Sequence, residues 1–359
     1  MTLIGIAGCT SLVFTGFGLN ESVHALVSDQ FGRVMFYDCS VQLSATATPE
    51  KREQAIRLFE DSVAESLPLQ ARSVDVDVDG GGAQLTVSLI CPLAPEDLED
   101  FIRLRGVPDA KKLALSGEGV ILSDKASRLI GVQAGDTLRV RVAEGRYLSV
   151  PVTALAENYL SHYLYVSPEV YAGLFGEPPE VNTVFGLLDQ ESDRSALAEK
   201  LLASDGISGI NFLADFKEEF ADAIGALGYV VAVLIVSAAA LAFVVLFSLS
   251  GINIEERRRE IATIKVLGFY DREVSEYVNR ETLILSLCGA LVGLLLGVVL
   301  LQFVITTAEI DLIVFSRETS VWSYVWGFLL TIVFTLIVNF IMGFKLKKID
   351  MVESLKSVE

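Results

Sequence analysis

The chain has 359 residues, and 52% of them are hydrophobic, above the share of about 45–50% that is usual for soluble domains. Its net charge of −18 gives no reason to expect a nucleic-acid partner, and its four cysteines are too few for a disulfide scaffold. The apolar residues collect in four windows without Asp, Glu, Lys or Arg: Met1–Asn20, Gly225–Ile254, Thr282–Ala308 and Thr319–Phe344.

These four windows predict transmembrane helices at 1–20, 225–254, 282–308 and 319–344. A spanning helix needs about 20 mostly apolar residues, and each charge near its centre costs about 2.5–3.5 kcal/mol. The first window is short and lacks a basic flank, so a cleaved signal peptide is the alternative there. A signal peptide needs Lys or Arg near its start, and none precedes Glu21. We therefore expect a chain that starts inside a larger protein.

The charges between the windows predict the topology, because cytoplasmic loops near the membrane carry an excess of Lys and Arg. The loop 255–281 and the tail 345–359 are rich in basic residues, whereas 309–318 holds one Arg against three acidic residues. We expect the first two in the cytoplasm and the third outside. The segment 21–224 is then external, and it carries 33 acidic and 17 basic side chains. This acidity is expected to keep an exposed domain soluble.

The external segment shows both helix and strand patterns. Cys39 and Cys91 fall within it, where a disulfide is possible but the spacing does not decide it. The predicted elements are a helix at 49–67, strands at 73–78 and 83–90 around a turn at 80–82, a short helix at 95–104, a β-rich insert at 118–168 with paired strands at 137–142 and 147–154, a strand at 183–188, a helix at 191–203 and a strand at 207–212. The last three form a βαβ-like return, and a helix from about Asp215 leads into the second span. The fold class is an α-helical membrane protein with four transmembrane helices and a mixed α/β extracellular domain.

The segment 253–281, which begins where the second span ends, is the most informative. Apolar residues recur near helical spacing from Ile254 to Leu267, opposite a charged face. Gly268 is suited to end this helix and Asp271 to begin another that runs into the third span. A short amphipathic element attached to two spans can accept a push from a cytoplasmic partner. A lipid-bound interfacial helix with a basic anchor is an equal alternative at this point.

Arg259-Glu260-Ile261-Ala262 followed by Leu267-Gly268 resembles the signature after the second span of FtsX-like permeases, a family of ABC transporter subunits. The layout of one span, a large external domain and three further spans is also similar, as is the ending 347–356. The external domain resembles the family only loosely, through 131–140. The opening 2–23 resembles the middle of long permeases with two such modules, which implies that this chain is the C-terminal half of one.

The resemblance implies a permease of the cell membrane that works by mechanotransmission: a cytoplasmic ABC ATPase moves the spans and reshapes the external domain. It also implies a second permease module, either in a homodimer or as a covalently linked half, surrounded by membrane lipids. The expected substrate is a lipid, a peptide or a hydrophobic drug. The ATPase is expected to dock on Arg257, Arg258, Arg259, Glu260, Ile261, Ile264, Lys265, Leu267 and Gly268.

Catalytic and metal-binding patterns do not occur in the sequence. There is no G-x-x-x-x-G-K-[ST], so we expect no enzyme activity or cofactor in this chain and place ATP and Mg on the partner subunit. The run Asp75–Gly80 starts like an EF-hand loop, but Thr86 stands where the loop needs a bidentate Glu, so no calcium site is predicted. A membrane-anchored sensor or binding protein without transport is the alternative function.

The third span carries two overlapping GxxxG steps, formed by Gly289, Gly293 and Gly297. Small residues four apart allow helix backbones to approach closely. We expect them to pack against this chain's own helices, and the alternative is a dimer seam.

Overall fold

The computed structural model describes residues 2–78, 84–189, 193–316 and 319–347. Its helices are α1 (Thr2–Asp29), α2 (Pro49–Glu60), α3 (Leu98–Phe101), α4 (Asp124–Ile130), α5 (Pro168–Phe175), α6 (Arg194–Leu202), α7 (Leu213–Glu256), α8 (Arg258–Val266), α9 (Asp271–Ala308) and α10 (Val321–Lys347). Its strands are β1 (Cys39–Leu43), β2 (Glu65–Asp77), β3 (Leu85–Pro92), β4 (Val120–Ser123), β5 (Thr137–Ala143), β6 (Arg146–Ala156), β7 (Tyr163–Tyr165), β8 (Thr183–Leu187) and β9 (Ile207–Phe212). The chain divides into a helical unit (Met1–His24, Ile224–Ala308 and Ser316–Glu359) and an α/β unit (Ala25–Ala223 and Glu309–Phe315).

Four long helices, α1, α7, α9 and α10, are long and apolar enough to cross a membrane. The 44 residues of α7 span about 66 Å at 1.5 Å per residue, roughly twice the hydrocarbon thickness of a bilayer. It begins at Leu213, directly after β9, which confirms the predicted helix leading into the second span. The backbone therefore runs as one continuous helix from the α/β unit to the far end of the span.

The first helix extends beyond its charge-free window. It continues past Asn20 to Asp29 and then through a π-helical turn at Gln30–Val34. Glu21 is a helical residue, and its Oε2 accepts hydrogen bonds from the Ser320 amide (3.0 Å) and the Ser323 hydroxyl (2.7 Å) beside the start of α10. A carboxylate at a helix N-terminus satisfies orphan N–H groups and complements the helix dipole. The first charged residue thus marks the end of the apolar stretch but not the end of the helix.

One half of the α/β unit is a ferredoxin-like arrangement of two split βαβ units. Strand β8 pairs antiparallel with both β1 and β2, and β9 pairs antiparallel with the other edge of β1. The order β2-β8-β1-β9 with α2 and α6 as crossovers follows. Phe59 and Leu201 from these helices are fully buried in its core. The predicted βαβ-like return is confirmed as β8, α6 and β9.

The other half is a small closed barrel. Strands follow the order β3-β7-β4-β6-β5-β2, and β2 also pairs with β3, which closes the ring. Alternate residues along the strands fill its interior with aliphatic side chains, among them Val76, Leu89, Leu122 and Val152. The long strand β2 belongs to both halves, since its first part pairs with β8 and its last residues with β5.

Several predicted elements differ from the observed ones. The helix predicted over 49–67 ends at Glu60, because Leu67 and Leu69 enter β2 and are fully buried there. The short helix predicted over 95–104 is a 3-10 turn at Pro95–Asp97 followed by α3. The stretch 118–168 also contains the helix α4, which strand patterning did not predict, and its four strands complete a barrel with β2 and β3.

The structure places the acidic run at 75–80 and the two external cysteines. Asp75 and Asp77 lie in β2 and form cross-strand ion pairs with Arg141 and Arg139, respectively. Cys39 and Cys91 are buried free thiols, and burial raises the pKa of each to about 12. The predicted turn at 80–82 lies outside the described residues, as does the tail from 348 onwards.

Candidate functional site

The candidate site is the elbow, residues 257–281, where the chain leaves α7, forms the short helix α8 and turns into α9. Arg257 breaks the helical path at φ −99° and ψ 11°, and α8 then runs for nine residues. Gly268 has a φ of +97°, a left-handed conformation that glycine adopts without steric cost and that commonly follows a helix C-terminus. The Tyr270 amide donates to Glu273 Oε2 at 2.9 Å and so caps the start of α9.

An ion pair braces the elbow across its two arms. The guanidinium of Arg257 donates to both carboxylate oxygens of Glu281, with Nη2 to Oε1 at 2.7 Å. Hydrogen bonding to Glu281 raises the pKa of Arg257 further, so the guanidinium stays charged. A bidentate Arg–carboxylate contact fixes orientation as well as distance. The break after α7 is therefore held against a point ten residues into α9.

The structure separates the nine residues predicted to contact an ATPase into three groups by their exposure. Ile261 and Lys265 are buried, and Ile261 packs in a cluster with Ile254 and Val274 of the neighbouring helices. These residues anchor α8 to the helical unit and are not available to a partner. The exposed members are Arg259, Glu260, Leu267 and Gly268, while Arg257, Arg258 and Ile264 are half-buried.

Two aromatic residues that sequence reasoning missed lie beside the exposed members. Leu267 is 72% exposed and Tyr270 79% exposed, and their neighbours Val266 and Phe269 are also exposed. Large apolar side chains that cluster at an exposed turn mark a protein–protein or membrane interaction site. The sequence contains a pattern that indicates this surface, because two aromatic residues directly follow the helix-ending Gly268.

The three glycines of the third span face α1. A Cβ added at Gly289 would lie 2.8 Å from Ile6 Cγ2, and one at Gly297 would lie 2.6 Å from Phe14 Cδ1. At Gly293 the added atom would lie 2.6 Å from the backbone oxygen of Ala7. In this structure these glycines pack against α1 of the same chain. They set how closely α9 approaches α1.

The α/β unit carries an open groove of about 620 Å³. Its walls combine aromatic rings, aliphatic side chains and two carboxylates: Met35, Tyr37, Tyr163, Leu160, Leu312, Phe216, Asp215 and Glu219. Burial raises the pKa of Tyr163 to about 12, so its hydroxyl stays neutral. A mixed apolar and aromatic lining of this kind suits a hydrophobic ligand.

A family model matches part of the helical unit. Residues 232–351 match the family model described as FtsX-like permease C-terminal. This segment resembles an FtsX-like permease domain. It contains most of α7, the whole elbow, and α9 and α10, so the exposed apolar turn lies inside the part of the chain that carries the family resemblance. Among curated proteins, none matches this chain in sequence.

Two solved structures each match about half of the chain. The periplasmic region of MacB from Actinobacillus actinomycetemcomitans matches 54% of this chain and 96% of its own length, at 12% identity and a TM-score of 0.34. The extracellular domain of the noncanonic ABC-type transporter YknZ from Gram-positive bacteria matches 49% of this chain and 98% of its own length, at 18% identity and a TM-score of 0.32.

Proposed function

We propose that this chain is the permease subunit of an ABC transporter and that the elbow couples it to a separate cytoplasmic ATPase. The observation that carries the proposal is the exposed apolar turn around Leu267 and Tyr270, which lies within the segment that resembles an FtsX-like permease domain. A short helix anchored by Ile261 and braced by Arg257 moves together with α7 and α9 when its outer face is pushed. ATP and Mg belong to the partner subunit in this scheme.

The direction of coupling follows from α7. This helix begins directly after β9 of the α/β unit and ends at the elbow without interruption. Dimerisation of the ATPase displaces the elbow, and the continuous helix transmits that displacement to the α/β unit. We propose that this unit lies outside the cell, that the C-terminus is cytoplasmic, and that a second permease module, in a homodimer or as a covalently linked half, completes the transporter in the lipid bilayer.

The proposed substrate is a lipid, a peptide or a hydrophobic drug. The groove supports this class, because Tyr37, Tyr163 and Phe216 line it together with aliphatic side chains. Mechanotransmission does not require the substrate to pass between the helices, since movement of the α/β unit can displace it.

The proposal is tested by co-purification of the chain with its ATPase. We expect Leu267→Asp and Glu260→Lys each to weaken the complex at least tenfold, which corresponds to about 1.4 kcal/mol. The first places a charge at the centre of an apolar contact, and the second reverses an exposed charge on α8. Matched controls on α6, Leu202→Asp and Glu199→Lys, change exposed residues of the same types and should leave association intact. Association that survives both elbow variants would reject the docking surface.

A further inference from the structure

The loop 309–315 connects α9 to α10, yet its residues belong to the α/β unit. Its backbone forms a short antiparallel bridge in which Ile313 pairs with Leu160. The Ser161 amide donates to the Leu312 carbonyl at 2.8 Å, and the Val314 amide donates to the Tyr159 carbonyl at 2.9 Å. The link between two long helices therefore adds a strand-like segment to the α/β unit.

A buried ion pair holds the start of this loop. Glu309 follows the last residue of α9 directly, and its Oε2 lies 3.0 Å from Nζ of Lys125 on α4. The side chains are only 4% and 10% exposed. Two charges withdrawn from water recover their desolvation cost only in one tight geometry, so such a pair specifies position even where it adds little stability. The other ion pairs of the α/β unit are mostly far more exposed, for example Lys51 with Asp205.

The segment 158–161, which pairs with this loop, is also held by Gln30, the residue that follows α1. Gln30, fully buried just after α1, accepts hydrogen bonds from the amides of Tyr159 and Leu160 at 2.9 and 3.1 Å. Its amide donates to Asn158, whose side chain in turn donates to the carbonyls of Leu160 and Ser161. Ser161 is held at φ +64°, a left-handed conformation that persists only where surrounding contacts impose it.

The same short segment, 158–161, thus receives the continuation of α1 on one side and the α9–α10 loop on the other. We propose that the loop 309–315 is a mechanical attachment between the α9–α10 helix pair and the α/β unit, additional to α1 and α7, with Lys125 and Glu309 as its positioning residues. The inference rests on the proposed function where it concerns the transmission of movement. The attachment itself requires no partner and is measured without one.

The first experiment is hydrogen–deuterium exchange on the full chain in lipid nanodiscs. Glu309→Gln and Lys125→Met each remove one charge of the buried pair with little change in size. We expect exchange at the Ser161 and Val314 amides to rise at least tenfold in both variants. Lys51→Met and Asp205→Asn break an exposed pair in the same unit and should leave these two amides within twofold of wild type. Exchange in the β5–β6 hairpin reports whether each variant stays folded.

Disulfide cross-linking is the second measurement, and it tests the attachment even if a charge variant does not fold. Leu160 and Ile313 face each other as a non-hydrogen-bonded pair, in which Cα atoms are about 4.5 Å apart, a spacing that a disulfide can bridge. The double variant Leu160→Cys/Ile313→Cys should cross-link in most molecules under mild oxidation, and either single variant should not. Unchanged exchange in both charge variants, or absence of the cross-link, overturns the attachment.

Transmission is then tested in the complex with the ATPase. We expect nucleotide-dependent exchange changes in the α/β unit to fall by at least half in Glu309→Gln, with ATP hydrolysis within twofold of wild type. The cross-linked protein should keep those changes, because the bond preserves the attachment. Full retention in Glu309→Gln would show that the loop transmits nothing. If no ATPase binds at all, the proposed function fails, and the nucleotide-free exchange still decides whether the attachment exists.

Discussion

His162 lies beside the loop attachment and is 2% exposed, with no hydrogen-bond partner for either ring nitrogen among the described residues. Burial lowers its pKa below the ordinary value of 6.5, and Lys125 lowers it further, while Asp311 opposes both effects. The side chain is packed directly before β7, which starts at the next residue.

The depressed pKa of His162 predicts a loss of stability in acid. The folded state keeps the imidazole neutral, so below pH 6.5 the unfolded state binds more protons, and the free energy of unfolding falls as pH decreases toward the folded pKa. His162→Leu removes this proton linkage together with two unsatisfied nitrogens. The melting temperature of the α/β unit should therefore fall less between pH 7.5 and pH 5.5 in His162→Leu than in wild type.

The control for this prediction is His24→Gln, which removes the chain's other, exposed histidine. At pH 7.5 we expect His162→Leu to be at least as stable as wild type, because an unsatisfied buried polar group costs about 1–3 kcal/mol. An equal acid-induced drop in wild type and His162→Leu would contradict the assignment.

Three glycines of α9 set the distance between this helix and α1. Gly293 meets the backbone of Ala7, which cannot move aside as a flexible side chain can. We expect Gly293→Ala to lower the free energy of unfolding of the helical unit by about 1–3 kcal/mol, the usual cost of overpacking. The measurement is denaturant unfolding in mixed micelles.

Gly8→Ala provides the matched control on the partner helix. An added Cβ at Gly8 meets no other atom within 4 Å. The substitution should be neutral or slightly stabilising, because alanine is the better helix former by about 1 kcal/mol. Equal effects of the two substitutions would mean that the glycines in α9 do not set the helix spacing.

The element scale also shows why helices were easier to predict than strands. The charge-free windows identified all four long helices, because lipid exposure selects composition over many consecutive residues. Alternation identified β5 and β6, which are joined by a tight turn and pair with each other. It did not indicate that β3 pairs with β7 or that β2 serves both halves, because those pairings join residues far apart in sequence.

At the scale of the molecule, the proposed topology places the elbow and the α/β unit on opposite sides of the membrane. We expect Leu267→Cys to react with a membrane-impermeant thiol reagent only in inside-out vesicles. Leu202→Cys, an exposed position on α6, should react only in right-side-out vesicles. The background is low in the α/β unit, since Cys39 and Cys91 are buried there. Labelling of both positions from the same side would refute the topology and, with it, cytoplasmic docking at the elbow.

The distribution of hydrophobic and charged residues along the chain by itself determined four long apolar helices, an acidic α/β domain and an amphipathic element between the second and third of these helices. These are properties of consecutive residues, and solvation by lipid or water acts on them locally. The amphipathic element was predicted at 253–281, which lies within the residues that match the FtsX-like permease model.

Only the tertiary structure decided which elbow residues are exposed, how the barrel closes, and that Glu309 reaches Lys125. Ile261 and Leu267 look alike in a periodic pattern, yet one is buried against neighbouring helices and the other faces outward. The two charges of the buried pair are 184 residues apart. Contacts of this kind depend on which surfaces meet when separate elements pack, and no local pattern of residues encodes that choice.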